Sequence, residues 1–173
     1  MREFALLART LPEIQAAMVV VRDRNAVDLG GLWGSSAALV AASMAAAPPA
    51  EEDKKRPSPA RWLVVTSGVE EAEQTVLDIA SFFDGTVARF PSWEAAPGPD
   101  SRLSPRIFAQ RLNVLIDFAI PGRTAPRVVV APIKAVLQGV PSPDLLWGNL
   151  LEIRPGKPLP IDTLAQQLVD HEF

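Results

Sequence analysis

The chain has 173 residues, of which 48% are hydrophobic and 21% are charged, which is enough for one compact domain or for one domain and part of a second. Its 17 basic and 20 acidic side chains give a formal net charge of -3. This balance argues against autonomous tight binding to DNA or RNA, although it does not exclude a local basic patch. Cysteine is absent and His171 is the only histidine, so disulfides and a zinc centre of the usual ligands cannot form within the chain.

The sequence also argues against a catalytic Ser-His-Asp relay, a membrane-spanning segment and a secretion signal. A Ser-His-Asp relay would have to use His171, for which a solvated surface position on a predicted helix is the simpler interpretation. The longest apolar run, residues 37–47, is interrupted by Ser43 and is far shorter than the roughly 20 residues needed to cross a bilayer. Residues 1–4 lack the pattern of a secretion signal. These features predict a soluble, cytoplasmic protein that does not associate with a membrane.

The first predicted elements are two helices separated by a glycine-containing turn. Thr10 and Glu13 form the pattern of a capping box, with Pro12 in the first turn. A short strand is predicted over 26–29 and an alanine-rich helix over 35–47. The apolar positions at helical intervals in the first helix are Leu11, Ile14, Met18 and Val21.

Residues 48–60 form a predicted linker. The prolines at positions 48, 49, 57 and 59 bracket three acidic and three basic residues, whose charges cancel. A basic triplet can indicate nucleic-acid binding or targeting, but a solvated surface loop is the simpler interpretation here.

Strand and helix patterns alternate after the linker. The continuous apolar run 62–65 is typical of a buried parallel strand, and further strands are predicted over 86–90 and 127–131, with a candidate fourth over 150–153. Ser67 and Glu70 are predicted to cap the first helix after the linker, which ends at Gly85. Ser104 and Pro105 are predicted to start the next helix. A short helix is predicted over 132–137, ending at Gly139, and the last helix is predicted to start at Asp162. The alternation predicts an α/β domain with a mainly parallel sheet flanked by helices.

Apolar spacing also predicts which helix faces point inward. For the helix after Ser67 these positions are Val69, Ala72, Val76, Ile79 and Phe83; after Ser104 they are Phe108, Leu112, Leu115 and Ala119; in the last helix they are Leu164 and Leu168.

The turn before the alanine-rich helix lies where a phosphate-binding loop would be expected. A working loop reads G-x-x-x-x-G-K-[ST], in which the lysine neutralises phosphate and the hydroxyl binds magnesium. Aligned to that pattern, Gly31 keeps the first glycine, whereas Ser36, Ala37 and Ala38 replace the second glycine, the lysine and the hydroxyl. Gly34 and Ser35 complete the turn, and the sequence lacks a nearby acidic pair of Walker B type. From these residues alone, a degenerate P-loop and an ordinary strand-to-helix turn remain alternatives.

Four segments, taken in order, carry a resemblance to a known family. They are Leu32-Trp33-Gly34-Ser35-Ser36-Ala37; Phe90-Pro91-Ser92-Trp93-Glu94 with Pro97, Ser104-Pro105 and Arg111-Leu112; Val129-Val130-Ala131-Pro132 with Ala135-Val136-Leu137-Gln138; and Arg154-Pro155-Gly156-Lys157 with 164–168. This ordered set resembles the N-terminal, UvrB-like region of the bacterial transcription-repair coupling factor, and it covers nearly the whole chain apart from residues 48–60.

The resemblance implies a nucleotide-inert α/β domain of the P-loop NTPase type, similar to the first helicase domain of UvrB. Residues 1–47 would hold the N-terminal helix, the degenerate loop and the helix after it. Residues 48–60 would be the linker, residues 61–140 the remainder of the split domain, and residues 141–173 the truncated start of an inserted α/β subdomain that contacts UvrA.

The resemblance also implies the partners. In the family, ATP and magnesium are bound by motor domains, and RNA polymerase and DNA are contacted by regions outside this chain, so no cofactor is expected here. UvrA and the chain's own motor domains are the expected partners, and truncation would remove part of the UvrA contact. The expected role is a non-catalytic module of transcription-coupled nucleotide-excision repair.

Five side chains are candidates for contacts with a partner. Trp93 and Glu94 follow a strand end, where α/β domains place functional loops, although a tryptophan folded over its own core is the simpler interpretation. Arg106 and Arg111 either pair with carboxylates inside the domain or face a partner. Trp147 is either an apolar contact with another region or a lid.

Three other functions are weighed against this one. An active nucleotide enzyme would have only Ser35 and Ser36 in its loop. A UvrB-like protein that binds damaged DNA is disfavoured by the acidic net charge and by the absence of tyrosine. A truncated product without an independent role is the third alternative.

Overall fold

The structure is a computed structural model that describes residues 2–23, 25–46, 61–94, 104–120 and 122–150, together with residues 153, 156, 158 and 160–170. The predicted linker 48–60 and His171 lie outside the described residues. The elements are α1 Arg2–Ala8, α2 Pro12–Arg22, α3 Ser36–Ala45, β1 Trp62–Thr66, α4 Val69–Phe82, β2 Val87–Arg89, α5 Pro105–Ala119, β3 Val128–Pro132, α6 Ile133–Val136, α7 Pro143–Gly148 and α8 Ile161–Asp170.

The three strands form a parallel sheet in the order β1-β3-β2. Trp62 lies opposite Val128 in one ladder, and Val87 lies opposite the same residue in the other. All five residues of the central strand β3 are buried, as expected for a parallel strand with neighbours on both sides. The predicted α/β class with a parallel sheet flanked by helices is confirmed.

One face of the sheet carries the main core. Val128 and Val130 of β3 pack there with Ile79 and Ala72 of α4, and with the alanine face of α3. Alanine at this helix face allows α3 to approach α4 closely, because each side chain is a single methyl group. The last carbonyls of α3 accept hydrogen bonds from Arg127, whose Nε lies 3.2 Å from the Ala45 oxygen, and from Arg9, whose Nη1 lies 3.2 Å from the Ala46 oxygen.

Within the described residues, the other face of the sheet is only partly covered. Val129 and Ala131 of β3 pack there against Phe90 and Val114. Leu63 of β1, however, remains 57% exposed. An apolar groove of about 380 Å³ opens on this face between β1, α5 and α6. The prediction that the run 62–65 is buried on both sides is therefore wrong for the outward-facing side chains of β1.

Several local predictions are also wrong. Residues 26–29 form no strand and lie in an irregular segment, residues 25–33, that leads to α3. Helix α2 has Leu11 as its N-cap, without a side-chain cap, because the Thr10 hydroxyl donates instead to the Leu7 carbonyl. Before α4, Ser67 donates to Glu71 rather than being part of a cap with Glu70. Helix α5 buries Arg111, Val114 and Ile116, whereas Phe108, predicted to face inward, is 48% exposed.

The ends of the chain contain two helices that the apolar spacing did not predict, α1 and α7. In the candidate fourth strand, Leu150 and Ile153 are not in a strand, and residues 151 and 152 lie outside the described residues. No helix in the described part of the chain is long and apolar enough to span a membrane.

Candidate interaction site

The most buried charged side chain in the described residues is Arg111, in the middle of α5. Only 2% of its surface is exposed. Ser104 and Pro105 start this helix in the predicted way, with Pro105 in the first turn. Arg111 lies two turns later on the inward face, beneath the segment that follows β2. Burial of a guanidinium requires that its donors be satisfied, so its surroundings define a built site.

Two aromatic rings lie close to the Arg111 guanidinium. The Arg111 guanidinium carbon lies 4.2 Å from the centre of the Phe90 ring and 4.7 Å from the centre of the Trp93 ring. These distances allow cation–π attraction to both rings. The Trp93 ring also lies 6.1 Å from the Phe108 ring. The planar guanidinium therefore holds the side chains at both ends of the segment 90–93.

The edge of the guanidinium is hydrogen-bonded to oxygen atoms that carry no formal charge. Arg111 Nη1 donates to the Pro91 carbonyl at 2.7 Å and to Gln138 Oε1 at 3.3 Å, and Nη2 donates to the Gly139 carbonyl at 3.4 Å. Burial lowers the pKa of the Arg111 guanidinium from its ordinary value, because a charge loses solvation in the interior. Arg111 therefore serves as a structural cation.

Gln138 completes the site from the other side. The Trp93 backbone N–H donates to its Oε1 at 2.8 Å, and its Nε2 donates to the Trp93 carbonyl at 3.5 Å. One amide therefore binds both polar groups of the Trp93 backbone and also accepts from Arg111. In the sequence, Gln138 stands out only as part of one of the segments that carry the family resemblance. The signal available was that a polar residue directly follows the predicted short helix 132–137 and its apolar Val136.

The structure separates the five predicted contact residues. Trp93 is half-buried against Arg111, and Glu94 beside it is exposed. Arg111 shows neither predicted arrangement: it does not face solvent, and its partners among the described residues are carbonyl and amide oxygens rather than carboxylates. Arg106 lies exposed on α5, and Trp147 is 47% exposed on α7.

The glycine-rich turn before α3 is built differently. Gly31 and Gly34 have positive φ angles of 75° and 54°, which glycine adopts without strain. Trp33 between them is 86% exposed. Helix α3 begins at Ser36 without a side-chain cap from Ser35, and among the described residues the buried Ser36 hydroxyl has no hydrogen-bond partner.

The two alanines of this turn have opposite environments. Ala37 is exposed, whereas Ala38 is 5% exposed and belongs to the core under α3. In the P-loop alignment, Ala38 occupies the position of the magnesium-binding hydroxyl. A side chain at that position points into the hydrophobic core rather than toward a phosphate. No group of three or more acidic or histidine side chains in the described part of the chain is arranged to hold a metal ion.

Comparison of the chain with models of known protein families and with curated proteins gives no match.

Proposed function

We propose that this chain is a non-catalytic interaction module of the transcription-repair coupling factor type, built on a degenerate P-loop domain. The observation that carries the proposal is the start of α3. It keeps two glycines with positive φ but directs Ala38 into the core and supplies no cation at Ala37. A turn of this kind gives a helix N-terminus worth only about 0.3–1 kcal/mol to a nearby anion, which is too little to hold a nucleotide.

The partly covered sheet supports the same proposal. Parallel sheets are normally covered on both faces, yet Leu63 and Val65 remain 57% and 45% exposed beside the apolar groove. A domain split by an inserted subdomain would supply the missing cover from the part of its sequence after the insertion. The proposal therefore assigns the groove to the second half of the split domain.

The proposed module has a second binding surface besides the inserted subdomain expected from residue 141 onward, and this surface is the segment 90–94. Arg111 and Gln138 fix its backbone, so that the exposed Glu94 and the outer part of Trp93 are presented in one conformation. A preorganised surface binds with less loss of conformational entropy. The proposed partner in repair is UvrA, with RNA polymerase and DNA contacted through other regions of the longer protein.

Binding to purified UvrA tests this assignment. We expect binding of the chain in a calorimetric titration and at least a tenfold weakening by Glu94→Lys, because the substitution reverses an exposed charge without disturbing a buried contact. Glu70→Lys, an exposed change on α4, is the matched control and should leave the affinity unchanged. Equal affinities for the two variants would refute the assignment of the surface. A salt-sensitive shift of lesion-bearing DNA by the chain alone would favour the UvrB-like alternative.

A further inference from the structure

Two chain segments meet at the carboxyl edge of the sheet. One is the segment 90–94 after β2, and the other is the connection 138–142 between α6 and α7. Parallel strands end at the same edge of a sheet, which brings these segments together although they are about 45 residues apart, as the Trp93–Gln138 bonds show. Arg111 donates to both segments, to the Pro91 carbonyl and to the Gly139 carbonyl.

The connection 138–142 leads directly into α7. Ser142 caps this helix, accepting a hydrogen bond at 3.2 Å from the Leu145 backbone N–H. Leu146 of α7 is 7% exposed, so the helix is packed against the domain. Residues 138 and 139 are bonded to Trp93 and Arg111, and Ser142 fixes the first turn of α7. Only residues 140 and 141 lie between these two fixed points.

We infer that Gln138 is a positioning residue that couples the conformation of the Trp93 segment to the placement of α7. Arg111 and Gln138 together form the latch. Its central acceptor, Gln138 Oε1, receives hydrogen bonds from both the Trp93 N–H and an Arg111 N–H. Loss of that acceptor removes one bond between the two segments and the bond that holds Gln138 to Arg111. The two segments are thereby one structural unit rather than two independent loops.

The coupling has a functional consequence beyond the proposed binding surface. A partner that binds the Trp93–Glu94 surface also stabilises one placement of α7, and a partner that moves α7 weakens the Trp93–Glu94 surface, because linkage is reciprocal. This inference does not depend on the identity of the partner. It can therefore be tested on the chain alone.

The four tryptophans provide the readout. Trp93 lies on one side of the latch and Trp147 on the other, in α7. Trp33 is in the exposed turn before α3, and Trp62 packs against the core on the opposite face of the sheet. Their indole N–H resonances in proton–nitrogen correlation spectra can be assigned with single Trp→Phe variants.

In the Gln138→Leu variant we expect the Trp93 and Trp147 resonances to move together, while those of Trp33 and Trp62 stay in place. Gln15→Leu, at an exposed glutamine of α2, is the matched control and should move neither Trp93 nor Trp147. Movement of Trp93 without Trp147 would refute the coupling. If neither resonance moves, Gln138 does not position the segment.

A second variant keeps the test decisive if Gln138→Leu perturbs all four resonances. Gln138→Glu loses the long Nε2 bond to the Trp93 carbonyl but preserves an acceptor for the Trp93 N–H and for Arg111, and its charge favours the arginine. We expect this variant to keep Trp93 and Trp147 near their original positions. Displacement of both resonances in Gln138→Glu, to the extent seen in Gln138→Leu, would overturn the inference.

Discussion

The turn before α3 and the segment after β2 are built in opposite ways. The turn before α3 has positive-φ glycines and a tryptophan at position 33 that is 86% exposed. The segment after β2 has Phe90, Pro91 and Ser92 buried, with Trp93 half-buried. The first segment resembles the phosphate-binding loop pattern only in sequence. The second segment is held by hydrogen bonds and ring contacts to Arg111.

This difference shows that a sequence motif does not by itself produce an ordered site, and that an ordered site does not require a known motif. Glycines allow the backbone of a turn to adopt positive φ angles, but they supply no cation and no ordered side chain. The buried arginine orders a segment that has no catalytic signature. The organised surface of the molecule is therefore expected at the segment 90–94, and the following predictions test that comparison.

The largest effect is expected at Arg111. Arg111→Ala should lower the free energy of unfolding by about 3 kcal/mol, because buried carbonyl groups lose their donor and a cavity remains. Urea denaturation followed by circular dichroism measures this change. Arg106→Ala, at an exposed arginine of the same helix, should stay within about 0.5 kcal/mol of the parent. Equal losses in the two variants would show that Arg111 does not hold the segment.

The two tryptophans provide the direct contrast between the segments. Trp93→Ser should cost about 2 kcal/mol in unfolding free energy, since it removes half-buried aromatic surface and the stacking on Arg111. Trp33→Ser should change the unfolding free energy by less than about 0.5 kcal/mol. The same chemical denaturation measures both variants. A larger loss at Trp33 would mean that the turn before α3 is packed in solution.

A smaller effect separates the two alanines of the turn. Ala38→Thr should cost about 1 kcal/mol more than Ala37→Thr, because the first substitution places a larger polar side chain in the core. The helix propensities of alanine and threonine enter both variants equally, so the difference reports burial. Thermal unfolding of the pair measures it. Equal stability would indicate that position 38 is free to face a ligand.

The smallest effect concerns pH. Hydrogen bonds from the Ser67 hydroxyl and backbone lower the pKa of Glu71 below its ordinary value of 4.5. A lowered carboxyl pKa contributes stability above 4.5 that is lost as the pH falls through the folded-state value. The melting temperature of Glu71→Gln should therefore decrease less than that of the parent chain when the pH is lowered below 4.5. A pH dependence identical to that of the parent would show that the Ser67–Glu71 bond is absent in solution.

The α/β class and most elements followed from the sequence because apolar periodicity is strong in α4 and α5 and because β3 is a continuous apolar run. The segment 26–29 has strand-like residues but no neighbour in the sheet, and periodicity alone cannot reveal a missing neighbour. The inward face of α5 was predicted only in part: Leu115 packs against the core, but Phe108 is exposed and Arg111 is buried instead. Burial of Arg111 depends on Gln138 and Pro91, which are far away in the sequence. Local apolar spacing cannot reveal hydrogen bonds between a buried charged group and residues that are distant in the sequence.

The central claim is that the glycine-rich turn does not hold a nucleotide. Calorimetric titration of the chain with ATP and magnesium tests it most directly, with the Ser36→Gly, Ala37→Lys, Ala38→Thr triple variant measured in parallel. We predict no heat of binding for the parent chain, since Ala37 and Ala38 provide neither the lysine nor the metal-binding hydroxyl of a working loop. Micromolar binding of ATP by the parent chain would contradict the account.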